Sequence, residues 1–210
     1  MNVMSDLLFR VIFSALWLFF FANLGWIVHS TRRTTGKQLA RHLGWLQIVA
    51  VTLAAPYFLG AVLYALVPGW IAVFLIPLPD WFRLVMVGIA AVGLFFAVWA
   101  WRVLGKNWAP SVSGVRDDTA LVTTGPYGIV RNPIYLGIYA IITSLALVAA
   151  SWLLLLPGLA LCVILYTQMD KEEAALVDRF GDAYREYMKR TPRFIPKLGH
   201  DQATQRGRQQ

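Results

Sequence analysis

The sequence predicts an all-α fold, a polytopic membrane helix bundle with about five transmembrane helices and a C-terminal cytoplasmic amphipathic helix. Three observations support this prediction. The chain is 58% hydrophobic and only 14% charged over 210 residues, whereas soluble domains are nearer half apolar and a quarter charged. The apolar residues form long runs with almost no charge, and the basic residues cluster between and after these runs.

The apolar runs define the predicted spans. Four runs carry at most one charged residue each, at 7–28, 43–67, 84–101 and 134–169. A helix needs about 20 residues to cross the hydrocarbon core of a bilayer. We therefore expect a first region, 1–101, with three transmembrane helices at about 7–29, 43–67 and 82–101. The last run has 36 residues, and it fits a helical hairpin of two short spans, 134–169.

The rest of the chain is predicted to form a functional region, 102–197, that combines this hairpin with a loop at 102–133 and an amphipathic helix at 170–190. The apolar residues of that helix recur at spacings of three and four, which is the helical period: Ala174, Leu176, Val177, Phe180, Tyr184, Tyr187 and Met188. The polar segment 198–210 is predicted to be a disordered tail.

The basic residues predict the orientation in the membrane. Five spans place residues 30–42, the loop 102–133 and the C-terminal segment on one side, and together these hold 17 of the 19 Lys and Arg residues. The positive-inside rule makes that side cytoplasmic and the N-terminus external, which for a bacterial chain means the inner membrane. The same charge favours contact with anionic lipids. It is explained by topology, so we expect no nucleic-acid partner.

The polar segment that enters the hairpin gives the strongest functional signal. It reads Gly125-Pro126-Tyr127, then Arg131-Asn132-Pro133-x-Tyr135. Pro133 suits the first turn of a helix, where a missing N–H costs nothing. Arg131 would then lie at the positive end of that helix, where a guanidinium and free N–H groups favour an anion. The competing interpretation is an arginine that only contacts lipid phosphates.

An acidic pair follows the last span. Glu172 and Glu173 come three and four residues after the uncharged run ends at Met169. Carboxylates near a membrane are costly and face inward or pair. The pair could only solvate a helix end or bind basic residues of the tail, but opposite the Arg131 segment it indicates a partner for a bound cation. Neighbours on a helix point about 100° apart, so we expect one glutamate to face a ligand and the other to be structural or solvated.

Four segments in this order resemble the integral-membrane isoprenylcysteine carboxyl methyltransferase and phospholipid methyltransferase superfamily. They are Leu104-Gly105-x-x-Trp108-x-Pro110, Gly125-Pro126-Tyr127 with Arg131-Asn132-Pro133-x-Tyr135-x-Gly137, Glu172-Glu173 with Phe180-Gly181-x-x-Tyr184-x-x-Tyr187, and Pro192-Arg193-x-x-Pro196. The resemblance covers about residues 100–197. The family loop usually reads Arg-His-Pro, so Asn132 replaces a residue that can titrate with one that cannot.

The resemblance implies binding of S-adenosylmethionine and methyl transfer to a lipid or lipophilic acceptor at the cytoplasmic membrane face. It implies catalytic roles for Arg131, Tyr135 and Glu173. It implies cofactor contacts from Gly125, Pro126, Tyr127, Arg131, Asn132, Tyr135, Leu136, Glu172, Glu173, Tyr184 and Tyr187. A carboxylate acceptor, such as an isoprenylcysteine, would need a cationic partner, whereas an amine would have to lose a proton to a glutamate. The sequence does not choose between these acceptors.

Two other functions remain open at this stage. Integral sterol and enone reductases, which use NADPH, resemble the same superfamily at the Arg-x-Pro-x-Tyr-x-Gly segment. A non-catalytic membrane protein is the third interpretation, and Asn23 and Pro56 are the only mid-span features that hint at it. His29, His42 and His200 have no spacing typical of metal ligands, so no metal is expected. The oligomeric state is left open.

Overall fold

The structure, a computed structural model, describes residues 3–35, 45–105 and 120–195. The middle of the predicted loop, 106–119, and the predicted tail, 198–210, lie outside the described residues. The described ranges are almost entirely helical, and their one β-bridge, between Leu75 and Ser151, joins no strands. The predicted all-α fold is therefore confirmed.

The helices follow one another in chain order. They are α1 (Val3–Thr35), α2 (Trp45–Leu66), α3 (Asp80–Leu104), α4 (Pro126–Ile129), α5 (Pro133–Val148), α6 (Trp152–Phe180) and α7 (Asp182–Arg190), with a short 3₁₀ helix (Pro68–Phe74) after α2. By length and composition, three stretches of the described ranges can cross a membrane: Met4–Trp26, Asp80–Leu104 and Trp152–Phe180. Two shorter apolar stretches, Ala54–Leu66 and Pro133–Val148, complete the bundle.

The membrane-crossing part of α6 ends before the acidic pair. The helix has 29 residues, or about 43 Å at 1.5 Å per residue, which exceeds the roughly 30 Å of the hydrocarbon core. Residues 152–169 carry no charge, and charged residues begin at Asp170. We therefore assign 152–169 to the membrane and the rest of α6 to the adjoining aqueous side.

The C-terminal amphipathic segment is divided differently from the prediction. A separate helix was expected over 170–190, but α6 passes through residue 170 without interruption and ends at Phe180. A change in polarity does not interrupt backbone hydrogen bonds, so it does not end a helix. The break comes instead at Gly181, whose φ of +54° is a left-handed conformation that glycine adopts readily. The helix α7 then starts in a new direction.

Two arginines close the end of the bundle that lies away from the motif segments. Arg83 is fully buried, and it donates to the Val148 carbonyl at 2.8 Å, the Tyr64 hydroxyl at 3.0 Å and the Asp6 carboxylate at 3.2 Å. Arg10 donates to the last carbonyls of α2. These contacts bring together the starts of α1 and α3 and the ends of α2 and α5. The start of α5 and the end of α3 therefore lie at the opposite end, with the motif segments.

The closest helix pair in the bundle, α3 and α5, meets through glycines. A Cβ atom placed on Gly137 would lie 2.6 Å from the Gly93 carbonyl oxygen and 2.7 Å from the Ala97 Cβ. A Cβ atom on Gly93 would lie 2.7 Å from the Ala140 Cβ. Small residues let helix backbones approach closely in membranes, where packing rather than the hydrophobic effect drives association. This crossing fixes the position of the α5 N-terminus.

We predict that Gly137→Ala destabilises the protein and that Gly88→Ala does not. The first substitution forces apart two packed backbones, at a cost of about 1–3 kcal/mol. A Cβ atom on Gly88 meets nothing within 4 Å, so alanine there should gain about 0.5–1 kcal/mol from its better helix propensity. Thermal unfolding of both variants in detergent measures the difference. Equal melting temperatures would show that the α3–α5 crossing is looser than described.

Candidate active site

A single turn of helix carries the chain from the loop to α5. Gly125 precedes this turn with a φ of +60°, and a Cβ atom there would lie 3.3 Å from the Val103 side chain. The positive φ and the lack of space for a side chain both favour glycine at this position. Pro126 starts α4 at a position where no N–H is needed, and Val130 is fully buried. The turn therefore has one fixed path, which delivers Arg131 and Asn132 to the start of α5.

Arg131 binds the end of α6 and the C-terminal segment together. Its Nε and Nη2 atoms donate to the two oxygens of Glu173 at 3.2 and 3.3 Å. Its Nη1 atom donates to the main-chain oxygens of Thr191 at 2.9 Å and Met188 at 3.2 Å. The Arg131 main-chain N–H donates to the Pro192 oxygen at 2.8 Å. The guanidinium is thus occupied by protein acceptors, among them the Glu173 carboxylate, whereas the sequence pattern had suggested an anion from outside the protein.

Glu173 is the centre on which these contacts converge. Asn132 donates to its Oε1 atom and Arg193 to its Oε2 atom, each at 2.5 Å. Arg193 also donates to Asp170 at 2.8 Å. Burial pushes the Glu173 pKa up, but the hydrogen bonds from Arg193, Arg131 and Asn132 outweigh that effect and hold it below its usual value. Glu173 is therefore an ionised, internally paired group.

Glu172 has a different environment. It is less buried than Glu173, and its hydrogen-bond partner is the Tyr135 hydroxyl. Partial enclosure raises the Glu172 pKa to about 7, against the smaller opposing effect of the Tyr135 hydrogen bond. No arginine is paired with this carboxyl in the described ranges. The two glutamates therefore lie in different environments, and which of them faces a ligand remains a prediction.

Three tyrosines fill the space around the acidic pair. The Tyr187 hydroxyl donates to the Tyr127 main-chain oxygen at 2.6 Å, and its ring packs edge-on against Tyr184 at 5.7 Å between centroids. The Tyr127 side chain is 8% exposed, and its hydroxyl has no hydrogen-bond partner among the described residues. Burial, with the nearby Tyr187 and Glu172, raises the Tyr127 pKa. A buried hydroxyl without a partner beside a carboxyl is a feature of a ligand site.

The structure brings most of the predicted site residues together, and it separates three of them. Gly125 and Pro126 shape the turn and present no side-chain polar group. Leu136 lines an apolar groove between α3 and α5 instead of joining the polar cluster. Arg131, Asn132, Tyr127, Tyr135, Glu172, Glu173, Tyr184 and Tyr187 form the cluster described above. Their chemical roles remain predictions.

The sequence analysis assigned no role to Arg193. Its guanidinium makes hydrogen bonds to three side chains at this centre. Besides Glu173 and Asp170, its guanidinium contacts the Tyr166 hydroxyl at 3.1 Å. The available signal was the Pro192-Arg193 motif, which the family resemblance included. Its partner could not be identified because the pairing depends on the path of the chain after Gly181. Phe194, next in sequence, packs against the Tyr139 ring at 5.6 Å.

An apolar groove of about 520 Å³ lies beside the cluster, between α3 and α5. Its floor is the glycine crossing, and Gly88, Val92 and Phe96 of α3 form one wall. Ile129 and Val130 close the end next to Arg131. Every lining residue is apolar. The groove therefore suits a hydrocarbon chain and not a water-soluble molecule.

Comparisons with known proteins agree with this architecture. The family profile described as Phospholipid methyltransferase matches residues 81–183. The chain is 31% identical over 113 residues to the protein-S-isoprenylcysteine O-methyltransferase of Schizosaccharomyces pombe, covering 53% of this chain and 48% of that protein. It is 29% identical over 119 residues to the nickel-cobalt-cadmium resistance protein NccN of Alcaligenes xylosoxydans xylosoxydans, covering 56% and 53% respectively. The chain thus spans about half the length of these curated relatives.

A solved structure shares the fold over most of the chain. The eukaryotic intramembrane Ras methyltransferase ICMT superposes with a TM-score of 0.62 at 19% identity, covering 94% of this chain and 70% of that one. The fold is thus that of a polytopic membrane methyltransferase. The chain is similar over this region to the isoprenylcysteine carboxyl methyltransferase and phospholipid methyltransferase superfamily, as its motifs predict.

We predict that Glu173→Gln destabilises the protein far more than Glu186→Gln. Removing the Glu173 charge leaves the buried Arg131 without a counter-ion and Arg193 with Asp170 alone, and breaking a buried pair in this way costs about 3–5 kcal/mol. Glu186 on α7 pairs with Lys189 in solvent, and its side chain is 59% exposed, so its loss should cost less than about 1 kcal/mol. Thermal unfolding in detergent compares the two. Similar melting temperatures would mean that Glu173 does not hold the C-terminal segment in place.

Proposed function

We propose that the protein transfers a methyl group from S-adenosylmethionine to a lipid or lipophilic acceptor at the cytoplasmic face of the membrane. The observation that carries this proposal is a negatively charged, tyrosine-lined centre that adjoins the turn whose Ile129 and Val130 line an apolar groove. A water-soluble cationic donor and a membrane-embedded acceptor need these two environments side by side. Similarity to a superfamily of membrane methyltransferases supports the same activity.

The residues of the centre fit the chemistry of this cofactor. S-adenosylmethionine would supply a methyl group on a positively charged sulfur. Glu172 provides a carboxyl outside the Glu173 network, and the rings of Tyr127 and Tyr135 can face a cation. The Tyr127 hydroxyl is free to bind a polar atom of a ligand. Arg131 and Glu173 hold these groups in position, because both are engaged with each other and with the C-terminal segment.

The apolar groove supports a lipophilic acceptor. It runs along the membrane-crossing part of α3 and ends at Val130, one residue before Arg131. A hydrocarbon chain in the groove would place its polar head at the α5 N-terminus, beside the acidic centre. Methyl transfer is an in-line displacement, so the enzyme contributes mainly by positioning and by excluding water. Helices around an interfacial site achieve both.

We predict that S-adenosylhomocysteine raises the melting temperature of the detergent-solubilised protein and that NADPH does not. A ligand that binds the folded state alone stabilises it by an amount that grows with the logarithm of the ligand concentration once this exceeds the Kd. Calorimetric titration with both compounds gives the affinities. Binding of NADPH without S-adenosylhomocysteine would support the reductase interpretation. Binding of neither would support a non-catalytic membrane protein.

We also predict that the N-terminus lies outside and that the site lies in the cytoplasm, in the inner membrane of a bacterial cell. The distribution of Lys and Arg motivates this orientation. Single cysteines at Ser5, Ser113 and Thr204, in a Cys162→Ala background, can be probed in sealed cells with an impermeant thiol reagent. Only Ser5→Cys should react. Labelling at Ser113→Cys would show that the protein has the opposite orientation.

A further inference from the structure

The segment between α2 and α3, residues 67–79, is apolar although it only connects two membrane helices. It belongs to an uncharged run that extends over 43–79. Connecting segments usually follow a surface in contact with water and carry polar residues. Here the side chains are apolar and exposed: Val73 is 89% exposed and Trp70 is 75% exposed, and Phe74 is exposed as well. A contiguous exposed apolar surface indicates contact with a partner or a membrane.

The hairpin of α5 and α6 shows at what depth this segment lies. The 16 residues of α5 span about 24 Å at 1.5 Å per residue, and the membrane part of α6, 152–169, spans about 27 Å by the same measure. Both lengths fall short of the roughly 30 Å of the hydrocarbon core. Both helices run between the hairpin tip, 149–151, and the side of the acidic pair. The tip therefore ends inside the opposite leaflet, which we call the far leaflet.

The α2–α3 segment packs directly on the hairpin tip. The Ile76 N–H donates to the Ala150 oxygen at 2.7 Å, and Leu75 forms the β-bridge with Ser151. All three residues of the tip, Ala149 among them, are almost completely buried. Ala150 has a φ of +48°, a left-handed conformation that residues other than glycine seldom adopt. Such a conformation persists only where the surroundings fix it. The segment is thus a fixed part of the bundle at the depth of the tip.

The backbone of the segment is also suited to hydrocarbon. Polar backbone groups within lipid must be satisfied by the protein itself. The segment contains the 3₁₀ helix Pro68–Phe74, and after it the N–H groups of Leu75 and Leu78 donate to main-chain oxygens at 3.4 and 2.8 Å. Pro77 and Pro79 have no N–H to satisfy. A segment with these properties does not depend on water for its hydrogen bonds.

Tryptophans mark the membrane–water boundary near the segment. Trp70 lies within it, Trp81 is at the start of α3 and Trp152 is at the start of α6, and all three are exposed. Tryptophan is enriched where hydrocarbon meets the lipid headgroups. Asp80, the first charged residue after the segment, is also partly exposed to solvent. The boundary therefore lies at the level of these residues, and the segment extends inward from it to the hairpin tip.

We propose that residues 67–79 are immersed in the far leaflet as a re-entrant segment, and that their exposed side chains contact lipid acyl chains. The proposal goes beyond methyl transfer and does not depend on it. The exposed apolar residues continue into Leu66 of α2 and, beyond Asp80, into Leu84 of α3. Protein interfaces carry about one hydrogen bond per 100–200 Å², and the side chains of the segment offer only the Trp70 indole N–H. Lipid therefore fits this surface better than a protein does.

Spin labels at defined positions test the proposal. Val73→Cys and Ala72→Cys, each in a Cys162→Ala background, are labelled with a nitroxide in the full-length protein and placed in phosphatidylcholine nanodiscs. Collision rates are measured with oxygen, which concentrates in hydrocarbon, and with a water-soluble nickel chelate. Val163→Cys, exposed in the middle of the membrane part of α6, is the hydrocarbon control. Glu186→Cys, exposed on α7, is the water control.

We expect the labels at Val73→Cys and Ala72→Cys to show the high oxygen-to-nickel ratio of Val163→Cys. We also expect unlabelled Val73→Cys to react with an impermeant maleimide at least about tenfold more slowly than Glu186→Cys. The thiolate is the reacting form, and a rise of about one unit in the thiol pKa in apolar surroundings has this effect.

Two results would overturn the proposal. A ratio that matches Glu186→Cys at either position would show that the segment lies in water. Low collision rates with both reagents would show that protein covers the segment, and dilution with unlabelled protein would then reveal whether a second copy of the chain is the partner. Neither measurement uses S-adenosylmethionine, so failure of this proposal is distinguishable from failure of the proposed function.

Discussion

The buried carboxylate of Glu173 is the interaction on which the rest of the site depends. Three separate parts of the chain send donors to it: Arg131 and Asn132 from the start of α5, and Arg193 from the segment after α7. An ion taken out of water is tolerated only when its hydrogen bonds are satisfied. The need to satisfy this one group therefore fixes how the loop, the end of α6 and the C-terminal segment lie together.

The crossing of α3 and α5 at their glycines is the second constraint, and it acts through helix packing and not through charge. Helices in lipid gain little from burying apolar surface against each other, so close packing must hold them. Gly93 and Gly137 allow the two backbones to touch. The contact sets the position of the α5 N-terminus, where Arg131 begins its contacts. The same absence of side chains leaves the apolar groove open beside the site.

The acidic pair shows how one helix gives two identical side chains different properties. Glu172 and Glu173 are adjacent, so they point about 100° apart around α6. One direction meets two arginines and an amide, and the other meets a tyrosine hydroxyl. The hydrogen bonds of the first environment lower the Glu173 pKa, whereas burial raises the Glu172 pKa against the smaller opposing effect of the Tyr135 hydrogen bond. Groups with separated pKa values in one cleft are characteristic of acid–base sites.

Much of the fold was predictable because the membrane imposes strict rules on a sequence. A span must be apolar and about 20 residues long, so the runs at 43–67 and 84–101 identified α2 and α3 directly. The boundary at residue 170 was placed wrongly, because the polarity of the sequence changes there while the backbone of α6 continues to Phe180. Gly181, which ends that helix, is visible in the sequence but is recognisable as a break only from its backbone conformation.

The sequence alone determined the class of fold, the motif segments and the residue types that meet at the site. It also predicted that Glu172 and Glu173 would have different environments. Adjacent residues on a helix point in different directions, whatever surrounds the helix. Tertiary structure decided which glutamate pairs with arginines and which with a tyrosine hydroxyl, and it supplied Arg193 as a partner that no spacing rule connects to residue 173. Such pairings depend on the direction in which α7 leaves Gly181. That direction follows from contacts between segments far apart in the chain, which local sequence patterns do not encode.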